Sequence, residues 1–359
     1  MNRNSQNGKS SSPKYSANVP KSIQTPDMVE TSRLGRLDFF DGMPSDETVQ
    51  KVDDQLDFSR GVETFLTGCP AASIYAFVRG MKEDGMDTFS MGIHKQPFDA
   101  RTLWLTPNTT VIYCIAEINV SDGPTVMEVP PGVLGPVDDA FFRWVVDVGF
   151  TGPDRGQGGK YLFLPPGYEG EIPDGYHVAQ SRTYMNYVLM RAIVIEGSLS
   201  KTAAHIKKHW RLYPFEEAAN PQEPHFVDLS GLQYNTIHAN DFSFYEELNE
   251  VIQAEPGDAF NPELVGLWAS IGIKKGKPFS PDARMKGALT GHFADYGIDD
   301  NFIKRVRSEV EPGTSALFLM TTNAVVDRVV EELKGMDFEL VSTNLSKEQE
   351  EELRNAFGT

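Results

Sequence analysis

Between Thr110 and Ile195 the sequence breaks repeatedly from short apolar runs into turn clusters, and this rhythm restricts the fold more than any other feature. TVIYCIAEINV (110–120) opens as a continuous apolar run, then alternates Ile118 and Val120 against Glu117 and Asn119. That pattern predicts a strand passing from a buried to a half-exposed position. Ser121-Asp122-Gly123-Pro124 is a strong turn signal, and TVMEVP reads as the partner strand of a hairpin. Further strands are expected at FRWVVDV (142–148), KYLFLP (160–165), YHVAQS (176–181) and YMNYVLMRAIVI (184–195). The clusters GPDRGQGG, PPGYEGEIPDG and Ser181-Arg182 separate them. Many short strands at short intervals predict a β-sandwich or barrel-like sheet, not parallel β-α-β winding.

Helical periods flank this block. Val49, Val52, Leu56, Val62 and Phe65 predict a helix over 46–66, with Asp46 as its cap. Ile74, Phe77, Val78 and Met81 predict a second over 70–81. After Gly197, Ser200 is placed to cap a helix through Leu212, with Ala203, Ile206 and Trp210 as its buried stripe. Residues 216–262 are acidic and loop-rich, with a helix at 243–254 signalled by a Ser243/Glu246 capping box. Asn261-Pro262-Glu263 opens a helix to Ser270, and Ser280-Pro281-Asp282 repeats that signal. In the tail, SALFLMT (315–321), the stripe Val326, Val329, Val330 and Leu333, the strand FELVSTNL and a last helix capped by Ser346 and Gln349 read as β-α-β-α. The expected class is therefore α+β. It comprises a disordered tail (1–40), a β-rich domain with leading helices (41–215), an acidic helical connector (216–286) and a small C-terminal unit (287–359).

A formal net charge of −18 repels nucleic acid and anionic membrane surfaces, so neither is expected as a partner. Cys69 and Cys114 stand far apart and build neither a disulfide framework nor a metal cluster. No run approaches the roughly 18 apolar residues of a membrane helix, and the polar N-terminus has no apolar signal core. A cytoplasmic protein is the expectation.

Few motifs carry chemistry. DRGQGGKY (154–161) lacks the phosphate-loop spacing, since Asp154 stands where glycine is needed and Tyr161 where Ser or Thr is needed; it reads as a hairpin loop. His205 and His209 share a helix face, but Lys207 and Lys208 beside them disfavour a cation, so no metal is expected. Ser90, Ser121 and Ser181 lack the context of a nucleophile elbow. The cysteines read as core thiols. The richest constellation is the polar border of the strands. Its ligand-binding candidates are Asn108, Thr110, Tyr113, Arg155, Lys160, Tyr161, Arg182 and Tyr184, with Thr109, Arg143, Asp147, Asp154 and Arg191 nearby in sequence. Nothing in the pattern names a cofactor.

LTPNTTVIYCIAEINVSDGPTVMEVPP, DVGFTGPDRGQGGKYLFLPPGY and the Arg182-Thr183-Tyr184 strand together resemble domain-of-unknown-function family 1254 over roughly 60–215. GLWASIGIKKGKPFSPDARMK continues that resemblance to about 285. The resemblance implies a β-rich domain, normally followed by a second one of family 1214, which this sequence does not show. The family's Asn-x-Asp-Thr becomes Asn108-Thr109-Thr110 here, removing an aspartate from any chemistry at that place. From about Gly287 the text instead resembles the end of domain-of-unknown-function family 1269. The seam falls near Met285–Leu289. The leading expectation is a binding module for a small molecule. The alternatives are an enzyme, such as a hydrolase, in which Asn108 and Tyr113 orient substrate while Arg155, Lys160 or Arg182 stabilises negative charge, and a homo-oligomer paired through sheet edges.

Overall fold

Successive strands of this chain cross between two sheets, where the sequence reads as a run of hairpins. The computed structural model describes residues 19–98, 101–104 and 107–294. The chain divides after Leu289 into two units, and the sheets and sites below all belong to the first. The β-α-β-α reading of the tail lies outside the described residues, as do residues 1–18.

In chain order the strands are β1 (Met28–Thr31), β2 (Gly35–Phe40), β3 (Met43–Pro44), then after helix α1 (Asp46–Glu83) β4 (Ser90–Ile93), β5 (Ile112–Asn119), β6 (Thr125–Val129) and β7 (Val133–Asp139). β8 (Trp144–Gly149), β9 (Gly159–Leu164), β10 (His177–Gln180) and β11 (Met185–Ala192) follow. Next come α2 (Leu199–His209), β12 (Arg211–Pro214), β13 (His225–Asp228), α3 (Ser243–Ala254), α4 (Pro262–Ser270) and α5 (Ala283–Ala294). The class is α+β, as read.

β1, β2 and β3 form a small antiparallel sheet, so residues 28–40 are ordered where a disordered tail was expected. The other strands make a six-stranded sheet, β13-β4-β5-β11-β7-β8, and a four-stranded one, β10-β9-β6-β12. Pairing is antiparallel except for β13 on β4 and β10 on β9. The sheets face each other across Cys114, Ala116, Ile118, Val188 and Met190 on one side and Met127, Tyr161 and Phe163 on the other. Among the described residues, all strands of this sandwich come from 90–228.

This arrangement corrects two hairpins. The turn at 121–124 carries the chain from β5 into the other sheet, so TVMEV pairs with β9 and β12. The GPDRGQGG loop likewise joins β8 of one sheet to β9 of the other. β5 is also buried to Ile118, Glu117 included, because its second face is covered by Ile74 and Val78 of α1. A strand covered on both faces has no half-exposed end to alternate.

The two leading helices are one helix of 38 residues with Pro70 inside it. Ser45, not Asp46, caps it, accepting the Thr48 N–H at 3.2 Å. Proline removes one N–H and crowds the turn before it, a cost near 3 kcal/mol in a helix interior. The helix continues because its buried face docks on α3, where a Cβ on Gly68 would come within 2.7 Å of Leu248. Leu66, whose carbonyl loses its partner, lies on the exposed side of the helix. Pro70→Ala should therefore stabilise the protein by about 1 kcal/mol, read as a higher denaturation midpoint. A lower midpoint would mean that the proline's local bend is needed for docking.

Other ends shift by a residue or two. Ser198 caps α2 through the Lys201 N–H, and α2 stops at His209, since Arg211–Pro214 is drawn into the four-stranded sheet beside β6. Asp241 receives the Ser243 N–H at 2.8 Å, replacing the Ser243/Glu246 box. Asp282 accepts the Met285 N–H at 2.8 Å at the start of α5. Asn261 caps α4 through the Glu263 N–H, as its spacing predicts. Among the described residues no helix is long and apolar enough to cross a membrane.

Candidate functional site

The outer face of the six-stranded sheet carries one row of side chains unlike the rest of the fold. The β4–β5 register, Gly92 opposite Ile115 and Ile93 opposite Cys114, places His94 opposite Tyr113, and the His94 N–H donates to the Tyr113 carbonyl at 2.9 Å. Tyr113 lies opposite Arg191, and Arg191 opposite Leu134. Residues directly opposite one another share a face. Their chain neighbours Ile93, Cys114, Met190 and Val133 fill the sandwich core, so His94, Tyr113, Arg191 and Leu134 point to the other side.

Aromatic rings wall this row. Phe98 packs 4.2 Å from the His94 ring and 4.8 Å from that of Tyr113, and Trp104 lies 5.4 Å from Tyr113. Trp104 also meets Phe77 of α1 at 5.4 Å and Tyr234 at 5.8 Å. Trp104 is held in place because Leu103 exchanges backbone bonds with the 234–236 segment, at 2.9 Å from its N–H and 3.0 Å to its carbonyl. Tyr234 in turn donates its hydroxyl to the Phe77 carbonyl at 2.9 Å. α1 approaches this segment through Gly80, where a Cβ would lie 2.3 Å from the Asn235 carbonyl oxygen.

The polar atoms of the row are incompletely satisfied. His94 is 2% exposed, and its Nε2 has no hydrogen-bond partner among the described residues. Burial pushes its pKa down to about 4, so the imidazole is neutral at neutral pH. Nε of half-buried Arg191 is likewise enclosed and unpartnered, and no carboxylate pairs with this guanidinium among the described residues. The Tyr113 hydroxyl accepts the Asn108 N–H at 2.8 Å, and Asn108 Oδ1 accepts the Thr110 N–H and hydroxyl, each at 2.7 Å. Thr110 thus completes an Asx turn.

Asn108, Thr110 and Tyr113 therefore meet; the other five candidates do not join them. Lys160 lies on the four-stranded sheet, 3.4 Å from Glu128, which also accepts the Tyr213 hydroxyl at 2.8 Å. Tyr161 is in the sandwich core with its hydroxyl on Asp154. Arg155 is exposed in the loop before β9, with φ of 51°. Arg182 is exposed and Tyr184 gives its N–H to Glu255. Both adjoin Met185, the β11 end opposite to Arg191, about 20 Å away at ~3.3 Å per residue. Arg143 is tied to Asp139 at 2.7 Å. His94, Phe98, Trp104 and Tyr234 were missed. The alternation of Ser90, Gly92 and His94 against Met91 and Ile93 is the signal that could have placed the histidine on a strand face.

Four other places offer less for chemistry or binding. Ser90 Oγ donates to Asp87 and sits 3.0 Å from His225 Nδ1. A nucleophile relay needs the histidine between serine and carboxylate; here the serine is the middle member and acts as a tie. His209 Nδ1 lies 2.9 Å from the His205 carbonyl and His205 Nε2 lies 3.0 Å from that of Pro131, with no third metal ligand grouped with them among the described residues. A groove of about 220 Å³ beside His205 is walled by Pro131, Phe150, Ile193, Ile195 and Ile206, with few polar groups to orient a ligand. Burial raises the pKa of both Cys69 and Cys114, away from thiolate chemistry.

Residues 88–214 match the model of the family described as Protein of unknown function (DUF1254), and residues 282–358 match that described as Protein of unknown function (DUF1269). Both resemblances read from the sequence are thus found, joined in the order expected. The fold is similar to the crystal structure of the VPA0106 protein from Vibrio parahaemolyticus, with a TM-score of 0.50 and 13% identity over 70% of this chain. The chain spans 60% of the length of that one. No curated protein matches it.

Proposed function

We propose that the β-rich unit is a small-molecule-binding module whose site is the row His94–Tyr113–Arg191 beneath Phe98 and Trp104. The carrying observation is the pair of enclosed, unpartnered polar atoms, His94 Nε2 and Arg191 Nε, on the two sides of Tyr113 in one row. A buried polar atom without a partner costs about 1–3 kcal/mol, and a ligand that supplies the partner recovers that cost. Rigid rings with a few convergent polar groups are the ordinary composition of a small-molecule site. The hydrolase alternative needs Arg155, Lys160 or Arg182 beside Tyr113, and their separation leaves it unsupported.

A thermal-shift screen of the full chain against a metabolite panel tests this reading. At least one compound should raise the melting temperature of the wild type and quench tryptophan fluorescence, with the quench lost in Trp104→Phe. A panel without a single stabilising compound defeats it, as does stabilisation that His94→Ala and Arg191→Ala both leave intact.

A further inference from the structure

Resting on that reading, we infer that the ligand is a planar aromatic carboxylate, with its ring against Phe98 and Trp104 and its carboxylate on Arg191 and the Tyr113 hydroxyl. Arg191 is a permanent cation whose Nε is enclosed and which pairs with no carboxylate among the described residues. In a chain of net charge −18, acidic partners are plentiful, and half-buried Arg143, in the turn before β8, has one in Asp139. What sets Arg191 apart is its enclosed, unpartnered Nε beside Tyr113, which an anion from outside the chain would complete. The planar guanidinium fork matches a carboxylate in two parallel hydrogen bonds.

The neighbours narrow the class. Tyr113, directly opposite Arg191, already accepts the Asn108 N–H, so its own hydroxyl proton has no acceptor among the described residues and can be donated. His94 on its other side is neutral and adds no charge. One fixed cation, one hydroxyl donor and a neutral imidazole suit a monoanion better than a phosphate dianion, which the acidic field of the chain also repels. The ring preference comes from the wall: Phe98, Trp104 and Tyr113 pack on one another at 4.8–5.4 Å, and Trp104, half-buried where the other two are buried, is the ring on which an aromatic ligand would pack.

The experiment is calorimetric titration of the full chain with matched probes: indole-3-acetate against indole-3-acetamide, and benzoate against benzamide, with cyclohexanecarboxylate and inorganic phosphate as further arms. Each acid should bind at least tenfold more tightly than its amide. Arg191→Gln, folded by circular dichroism, should abolish that ratio, and Arg191→Lys should keep part of it. Cyclohexanecarboxylate should bind more weakly than benzoate, and phosphate should not compete. Equal affinity of acid and amide overturns the carboxylate assignment while leaving the binding module standing. So does competition by phosphate, and so does the absence of binding by every probe when the metabolite panel yields a ligand. A ratio that survives in Arg191→Gln overturns it as well, since the charge would then be met elsewhere.

Discussion

Asp154→Ala lowers the stability of the β-rich unit by about 3–5 kcal/mol, the largest loss expected from a single side chain in the loop between the two sheets. Asp154 is 6% exposed and takes three donors: the Gly149 N–H at 2.8 Å, the Gly158 N–H at 3.0 Å and the Tyr161 hydroxyl. Gly149 ends β8 in the six-stranded sheet and Tyr161 belongs to β9 in the other, so one carboxylate ties the sheets together. Alanine strands all three donors, each worth about 1–3 kcal/mol when buried and unpaired, less what water recovers at the loop surface. Tyr161→Phe removes one donor and keeps the ring, and should cost about 1–2 kcal/mol. In the double variant the two losses should fall short of their sum, since the bond between them is counted twice. Denaturant midpoints at constant slope measure all three. A loss below about 1 kcal/mol in Asp154→Ala would show that water replaces the carboxylate freely, and the tie would have to be sought elsewhere.

The same two residues show why the site was harder to read than the fold. Asp154 and Tyr161 look like pocket residues in sequence because polar groups beside strands are what pockets use. In three dimensions they satisfy each other, and nothing one-dimensional marks that exchange. Most strands of 110–195 were legible because short apolar runs bounded by turn clusters are a local property. Which sheet each strand joins was not, because β5 and β6 are separated by an ordinary turn signal that serves a crossover as well as a hairpin. β7 hid behind Gly135 and Pro136, yet Gly135 is there because a Cβ would lie 1.9 Å from the Leu189 carbonyl oxygen of the neighbouring strand. Pro70 misled in the opposite sense, since tertiary docking carried a helix through a residue that ordinarily ends one. The row His94–Tyr113–Arg191 depends on registers between strands distant in sequence, so Tyr113 could be named alone but its companions could not be assembled.

Two buried groups, one in this row and one outside it, should give the pH–stability profile opposing contributions, so that single substitutions tilt it in opposite directions. Glu255 is 2% exposed, follows α3 and accepts the N–H groups of Tyr184 and Met185. Burial pushes its pKa from 4.5 up to about 7, against the pull of those two bonds. A raised carboxyl pKa means that the folded state holds the proton more tightly, so this contribution is fully present below about 4.5 and is lost as pH climbs through 7. His94 is the reverse: its pKa falls from 6.5 to about 4, so its contribution is present above 6.5 and lost as pH drops through 4. Each effect is worth at most about 3 kcal/mol, and between pH 4.5 and 6.5 they oppose. His94→Gln should therefore become more stable on acidification from pH 7 to 4.5, by about 2 kcal/mol relative to the wild type. Glu255→Gln should become less stable over the same interval by a similar amount. Asp138, whose carboxyl is raised to about 6 by burial, is common to all three proteins and cancels in the differences. Chemical denaturation of the three proteins at both pH values decides the matter: parallel profiles would mean that neither group is held in its buried protonation state, and a neutral His94 would drop out of the proposed site.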